Sequence, residues 1–251
     1  MPQFFFCHFS MESCLIEPSQ GKGESPLPPA GIFAVSPSDS LAFPGLAKRY
    51  HLNQQFLFHS KLFASPSFFL AGPAVGAPMA VICLEKLIAL GARRIILYGW
   101  CGALAPSLKG GGLFVADSGI SEEGTSPHYP PHPGFPPDQQ LQNRLNTALE
   151  RSGHLLHQGI IWTTDGLYRE TRSKVAHHQE QGALAVDMEY TALSGVAAFR
   201  GAALATVMMV SDELYHQQWR SLVGRKSFRS ASKKMLSLLC EELDSGGLCN
   251  P

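Results

Sequence analysis

Carboxylate side chains follow two apolar segments in the second half of the chain. Residues 183–186 (ALAV) are followed by Asp187 and Glu189, and residues 203–210 (ALATVMMV) are followed by Asp212. Short apolar runs that end abruptly in this way are typical of buried strands. Because open α/β sheets bind ligands beyond the carboxyl ends of their strands, we expect these acids at a binding site.

A helix is predicted between these two strands. Residues 190–199 are rich in Ala, Leu and Val, as expected of a helix that packs closely against a sheet, and Gly201 follows as a stop signal. The two strands and the helix together form a strand, helix, strand unit, which is a building block of α/β sheets.

The same patterns predict the other elements of an α/β domain. The clearest helix covers residues 78–90, where Pro78 lies in the first turn and Gly91 follows the last apolar residue. Residues 126–138 are too rich in proline for a helix or a central strand. The remaining predictions are helices over residues 139–151 and 228–243, strands over 31–35, 67–71, 94–98, 113–120 and 158–164, and a loop over 99–112.

The composition suits one large domain with a substantial core. The chain has 251 residues, of which 45% are hydrophobic and 16% charged, and its net charge is zero. We predict an N-terminal arm with little regular structure over residues 1–30, the domain over 31–245 and a C-terminal tail over 246–251. The neutral charge balance and the absence of a long apolar run favour a small-molecule ligand over nucleic acid or a membrane.

The cysteines and histidines do not indicate a metal site. Six cysteines are dispersed through the sequence without the short spacing of metal ligands, and the histidine pairs are typical of exposed positions. The sequence therefore predicts reduced thiols, a cytoplasmic location, no metal and no cofactor.

The residues around the two groups of acids resemble the nucleoside phosphorylase superfamily, which includes purine nucleoside phosphorylases, uridine phosphorylases and methylthioadenosine nucleosidases. The resemblance implies a single α/β domain with a mixed central β-sheet flanked by helices in three layers. The matching motifs follow the family's order and extend from about residue 31 to 243; they are GPAVGAP (72–78), GWCGAL (99–104), EGTS (123–126), VDME (186–189) and VSD (210–212).

The resemblance implies a sugar site at the third and fourth residues of the VDME motif. Cleavage of an N-glycosidic bond builds positive charge on the sugar and negative charge on the departing base. Glu189 matches the family's ribose-binding position, where an ionised carboxylate accepts hydrogen bonds from the 2′ and 3′ hydroxyl groups. Met188 offers a polarisable apolar surface to the ring. The residues alone leave a second interpretation open, in which Glu189 complements the dipole of the following helix.

The resemblance also implies a base site with Asp212 as its catalytic residue and Ser211 beside it. Purine-specific relatives carry an acid at this position that serves N7 of the base, and a partly desolvated carboxyl group can donate a proton near neutral pH. Leu167 and Tyr168 fall where the family places an aromatic ring against the base, although a core position is an alternative for Tyr168. Residues 165–172 lack the Gln and Arg pair with which uridine-specific relatives recognise uracil, so purine is favoured.

The phosphate pocket of the family has no clear counterpart in this sequence. Relatives build it from a glycine loop with an arginine, a second arginine and a Ser or Thr. We place Ser36, Asp39, Gly72 and Trp100 in this pocket, but Leu97 and Trp100 occupy two of the family's donor positions. Leu and Trp cannot offer the cationic, bidentate donors that a phosphate dianion needs.

Two explanations of the missing donors stay open. In the first, the enzyme is a nucleosidase, and Asp39 activates water as a carboxylate near the first loop does in nucleosidase relatives; a turn-capping role is equally typical of this residue. In the second, Arg49, Arg93 or Arg94 reaches the site from elsewhere.

The sequence therefore predicts an enzyme that cleaves the N-glycosidic bond of a nucleoside, with purine favoured and with inorganic phosphate as co-substrate at an atypical site. A phosphate-independent nucleosidase and a non-catalytic nucleoside-binding homologue are the alternatives. The resemblance also implies a homo-oligomer, either a dimer or a hexamer built as a trimer of dimers.

Overall fold

A computed structural model describes residues 14–248 of the chain. Part of the predicted N-terminal arm (residues 1–13) and part of the predicted tail (residues 249–251) lie outside the described residues. The helices are α1 (Phe43–Arg49), α2 (Ala77–Ala89), α3 (Gln139–Arg151), α4 (Arg172–Glu180), α5 (Tyr190–Phe199) and α6 (Lys226–Asp244). The strands are β1 (Ala30–Ala34), β2 (Asn53–Leu57), β3 (Ser60–Ala64), β4 (Phe69–Gly72), β5 (Arg94–Ala103), β6 (Leu113–Ser121), β7 (Leu156–Thr163), β8 (Ala183–Asp187), β9 (Ala203–Glu213) and β10 (Arg220–Ser221).

The strands form one mixed sheet that is partly closed on itself. Their order is β10-β9-β6-β7-β8-β5-β1-β4-β3-β2, and β9 also pairs with β5. Because β5 bonds to both β8 and β9, the strands β5, β9, β6, β7 and β8 close into a distorted barrel, from which the other strands extend.

Helices cover both faces of the sheet, which confirms the predicted three-layer α/β fold. On one face, α2 and α5 bury apolar side chains such as Leu84, Leu87 and Val196. On the other face, α1, α3 and α6 bury a second cluster that includes Leu145 and Leu239. The apolar stripes of these helices provide the burial that stabilises both faces.

Five strands and helices escape the sequence analysis, and most of them have a weak apolar signal. One of them is β3, in which only residues 62–64 are apolar. The strand β2 is a mostly exposed sheet edge, and the helix α4 buries only Val175 and His178. The helix α1 and the two-residue strand β10 are short. The predicted loop over residues 99–112 is also wrong in its first part, since β5 continues to Ala103 by pairing with β9 along its whole length.

The two strands of the predicted strand, helix, strand unit are not neighbours in the sheet. The strand β9 runs parallel to β5, whereas β8 runs antiparallel to it. The two acidic segments still meet, because Gly102 of β5 pairs with Val186 of β8 on one side and with Asp212 of β9 on the other. A single residue of the central strand therefore brings both motifs together.

Candidate active site

A cavity of about 300 Å³ lies where the ends of β5, β8 and β9 converge. Its walls contain four carboxyl groups, which belong to Glu170, Asp187, Glu189 and Asp212. Within residues 14–248, no Lys, Arg or His lines this cavity. The cavity therefore combines acidic side chains with apolar walls and lacks a cationic partner for an anion.

Glu189 lines the cavity and is anchored by the backbone that precedes α2. Its Oε1 accepts a hydrogen bond of 2.6 Å from the backbone N–H of Gly76, which precedes α2. Burial, together with the charge of Asp187, raises the pKa of the Glu189 carboxyl group. Since a carboxylate offers about four acceptor sites, the contact with Gly76 leaves most of its capacity for a ligand.

Asp187, and not Glu189, caps the helix that follows. Its Oδ2 accepts from the N–H groups of Glu189 (3.0 Å) and Tyr190 (2.6 Å), and its Oδ1 accepts from the Thr163 hydroxyl group at 2.6 Å. Glu189 makes no side-chain hydrogen bond to its own helix. The alternative interpretation of Glu189 as a helix-terminal carboxylate therefore describes Asp187 better, and Glu189 stays available to a ligand.

Asp212 is oriented by two donors. The Ser211 hydroxyl group donates to Oδ1 at 2.6 Å, and the indole N–H of Trp219 donates to Oδ2 at 2.7 Å. Gly102 forms the neighbouring wall, where a Cβ atom would lie 2.4 Å from Leu214 Cδ1 and 3.3 Å from Asp212 Oδ2. The pairing of β5 with β9 shifts register at this point, as a β-bulge does next to many active sites.

Glu170 is a second acid near Asp212 that the sequence analysis missed. It follows a 3₁₀ turn (Leu167–Arg169), is half-buried and lines the cavity. Burial, followed by the negative charge of Asp212, raises the pKa of Glu170 to about 8. Glu170 therefore carries a proton at neutral pH.

The two predicted base-stacking residues lie in different places. Leu167 lines the cavity, whereas Tyr168 has a side chain that is 96% exposed and lines only an adjacent cavity. Neither interpretation of Tyr168 matches this position, since its ring is not in the core either. Trp219, which was not predicted, is the aromatic side chain that contacts Asp212.

Residues predicted for the phosphate or water pocket divide into two groups. Ser36 and Trp100 line the cavity, while Asp39 and Gly72 do not. A Cβ atom on Gly72 would lie 1.9 Å from the Ala34 carbonyl oxygen, so glycine is required there by the close approach of two strands.

Asp39 belongs to a buried polar network behind the cavity wall. The Ser232 hydroxyl group of α6 donates to its Oδ1 at 2.6 Å, and the Trp100 indole N–H donates to Ser232 Oγ at 2.9 Å. Burial raises the pKa of Asp39 to about 6. The predicted role of Asp39 as a water-activating base has no support in this geometry, because its carboxyl group faces α6.

The three arginines considered as substitutes do not line the cavity either. Arg93 donates to the carbonyl groups of Ile88 and Ala92, and Arg49 contacts Ser237 and Glu241 on α6. Arg94 begins β5, and the nearest cavity-lining residue of this strand is Trp100, six residues and roughly 20 Å away at about 3.3 Å per residue.

The part of the chain that the structure describes shows neither a candidate metal centre nor a membrane-spanning helix. Within residues 14–248, His, Cys, Asp and Glu side chains form no group of three or more that could hold a metal ion. None of the helices in this part of the chain is both long and apolar enough to cross a membrane.

Comparisons with known proteins agree with the resemblance. A family model described as "Phosphorylase superfamily" matches residues 42–242. The guanosine phosphorylase of Halorubrum lacusprofundi is 26% identical over 164 residues, which is 64% of this chain and 68% of the relative. The DeoD-type purine nucleoside phosphorylase of Bacillus cytotoxicus is 29% identical over 148 residues. This alignment covers 57% of this chain, and the chain spans 63% of that relative's length.

Solved structures share the fold over nearly the whole chain. The purine nucleoside phosphorylase of Toxoplasma gondii, in complex with immucillin-H, has a TM-score of 0.76 at 20% identity. The superposition covers 91% of this chain and 98% of that chain. The uridine phosphorylase of Vibrio fischeri ES114 has a TM-score of 0.71 at 20% identity, with 89% of this chain and 92% of that chain aligned.

Proposed function

Because the chain belongs to the phosphorylase superfamily, we propose that it cleaves the N-glycosidic bond of a purine nucleoside in the cavity between β5, β8 and β9. One observation carries the proposal. Glu189 and Asp212, which come from motifs on two antiparallel strands, line the same cavity. This is the arrangement that a sugar-binding acid and a base-binding acid require.

At the sugar end, Glu189 accepts hydrogen bonds from the ribose hydroxyl groups. Its carboxyl group is buried and anchored by Gly76, so its position is fixed before the ligand binds. Hydroxyl donors favour the ionised form of a buried carboxyl group, which offsets the raised pKa of Glu189. An ionised Glu189 then stabilises the positive charge that develops on the sugar. Met188 lines the same wall and packs against the ring.

At the base end, Asp212 and Glu170 act as a pair of acids. Trp219 and Ser211 hold Asp212 in place, and Glu170 carries a proton at neutral pH. A departing purine accepts a proton or a hydrogen bond as negative charge builds on it, so a protonated carboxyl group beside a fixed one suits this step.

Glu170 gives the reaction a pH dependence. Since the pKa of Glu170 is raised to about 8, its protonated form is present below this pH and is lost above it. We expect kcat/KM to fall about tenfold per pH unit above pH 8, and we expect Glu170→Gln to remove this alkaline limb because Gln does not titrate. The measurement is kcat/KM from pH 5 to 10. An unchanged alkaline limb in Glu170→Gln would show that another group gives up the proton.

Two findings favour a purine over uracil. The relatives include a guanosine phosphorylase and purine nucleoside phosphorylases by name. In addition, Leu167, Glu170 and Trp219 surround Asp212 with apolar surface and one protonated acid, in place of a Gln and Arg pair. Apolar and aromatic walls suit the faces of a purine ring.

The missing cations favour water over phosphate as the nucleophile. A phosphate dianion needs cationic, hydrogen-bonding partners to offset its desolvation, and the described cavity offers four carboxyl groups instead. Hydrolysis is therefore the version that the geometry of one chain supports best. Phosphorolysis is the second candidate, and it requires a cation from outside this cavity, such as one from a second copy of the chain.

Product analysis with and without phosphate tests both versions. We expect purified protein to release the base from inosine or adenosine in phosphate-free buffer, to produce free ribose, and to respond less than about twofold to added phosphate. A rate that saturates with phosphate and yields ribose 1-phosphate would establish phosphorolysis. Nucleoside binding without base release would instead identify a non-catalytic homologue.

A further inference from the structure

A second cavity, also of about 300 Å³, adjoins the proposed active site. It shares Leu167, Glu170 and Trp219 with the first cavity, and none of the residues at the sugar end. The two cavities therefore meet beside Asp212, at the base end. If the base of a nucleoside binds beside Asp212 in the first cavity, the second cavity is open to a group attached to that base.

The chemistry of the second cavity favours an apolar group. Aliphatic walls come from Leu167, Val175 and Leu214, and aromatic walls come from Tyr168 and Trp219. The exposed fractions of Leu167, Tyr168 and Trp219 are 47%, 96% and 68%, so three large apolar side chains lie exposed together. Such a cluster on a soluble protein usually marks a binding surface.

Two of the polar residues that line it are already engaged. The Arg172 guanidinium donates to the Gln217 carbonyl oxygen at 2.5 Å, and the His216 ring bonds to Glu213 at 2.7 Å. The indole of Trp219 is fixed by its bond to Asp212, so it presents a rigid aromatic face. Apart from Glu170 at the boundary with the first cavity and the Gln217 side chain, a ligand in the second cavity therefore meets mainly apolar walls.

The orientation of the purine in the first cavity determines which of its substituents points towards the second cavity. If Asp212 serves N7, a substituent at position 6 lies on the same edge of the purine, because N7 and the 6-substituent share one edge. We propose, on the basis of the function proposed above, that the preferred substrates are purine nucleosides with an aromatic or branched apolar substituent on the 6-amino group, which binds in the second cavity.

The test compares adenosine with N6-benzyladenosine as substrates and adenine with N6-benzyladenine as ligands. We expect kcat/KM for N6-benzyladenosine to exceed that for adenosine by about tenfold or more, since filling an apolar pocket is worth about this factor. N6-benzyladenine should bind correspondingly more tightly than adenine in calorimetry.

Two neighbouring glutamines provide a matched pair of variants. Gln217 lines the second cavity, whereas Gln218 is exposed and lines neither cavity. In Gln217→Trp, the indole should occupy the second cavity and lower the ratio of N6-benzyladenosine to adenosine activity about tenfold. Gln218→Trp introduces the same side chain into the same loop and should leave this ratio unchanged.

The outcomes separate this proposal from the proposed function. Cleavage of adenosine without any preference for the benzyl compounds, or equal effects of the two Trp variants, would overturn the second-cavity proposal and leave the function intact. Tighter binding of N6-benzyladenine without any cleavage would support the cavity assignment and overturn the function. Failure to bind or cleave either pair would overturn both.

Discussion

Asp212→Asn is expected to lower kcat for purine nucleoside cleavage by roughly 10²- to 10⁴-fold, the usual contribution of a positioned acid or base. Asn keeps an oxygen that accepts from Trp219, so the surrounding structure should persist. It cannot exchange a proton with the departing base, and it lacks the negative charge that Asp212 places near Glu170. Initial rates of base release from inosine and adenosine, under saturating substrate, measure the effect.

Glu213→Gln is the matched control. Glu213 is the next residue in β9, and its carboxyl group bonds to the Gly110 N–H at 2.9 Å, outside the cavity. We expect this variant to keep kcat within about threefold of the parent. An Asp212→Asn protein that is folded and retains a tenth of the activity or more would contradict the role of Asp212 in the base step.

The elements that the sequence predicts well are those with a strong apolar pattern. The helices α3 and α5 are predicted with their observed limits, because a helical stripe or a dense apolar segment ends at a clear signal in each case. The strand β2 and the helix α4 bury few side chains, so their pattern resembles that of a loop. Tertiary contacts determine such elements more than local preference does.

The motifs correctly predict that Glu189 and Asp212 line one cavity. The predicted arrangement of their strands is wrong, because β8 and β9 are not neighbours in the sheet. An apolar run shows that a strand is buried, but it does not show whether that strand runs parallel or antiparallel to its neighbours. Likewise, Asp187 ends β8 and Glu189 lies two residues beyond it, and the backbone turn decides which of the two caps α5. The helix-capping role therefore depends on a geometry that spacing alone does not specify.

Long-range contacts determine the surroundings of Glu170 and Asp39, and spacing along the chain does not reveal them. Glu170 acquires its raised pKa from burial and from Asp212, which lies 42 positions later in the chain (212 minus 170). Asp39 lies close in sequence to the position of the expected nucleosidase carboxylate, but Ser232 of α6 holds its side chain behind the cavity wall. One feature of the sequence could have indicated Trp219 as a site residue, because it is an aromatic residue in the polar segment that follows the VSD motif.

Glu189→Gln is expected to reduce kcat/KM for ribonucleosides by roughly 10²- to 10⁴-fold. Hydrogen bonds to a charged group are worth about 1.5 to 3 kcal/mol each, and the proposed carboxylate accepts two of them from the ribose. The variant keeps an oxygen that accepts from the Gly76 N–H, so the wall of the cavity is preserved. It loses the negative charge that opposes the positive charge on the sugar.

A 2′-deoxynucleoside shows whether this loss arises at the sugar. The parent protein should prefer adenosine over 2′-deoxyadenosine by about tenfold or more, because the deoxy substrate lacks one of the two donors. In Glu189→Gln that preference should shrink towards unity, since the charged acceptor is gone from both reactions. The double comparison isolates the coupling between the carboxylate and the 2′ hydroxyl group. A preference that stays the same in the variant would place Glu189 away from the ribose, and the cavity would then need a different sugar-binding residue.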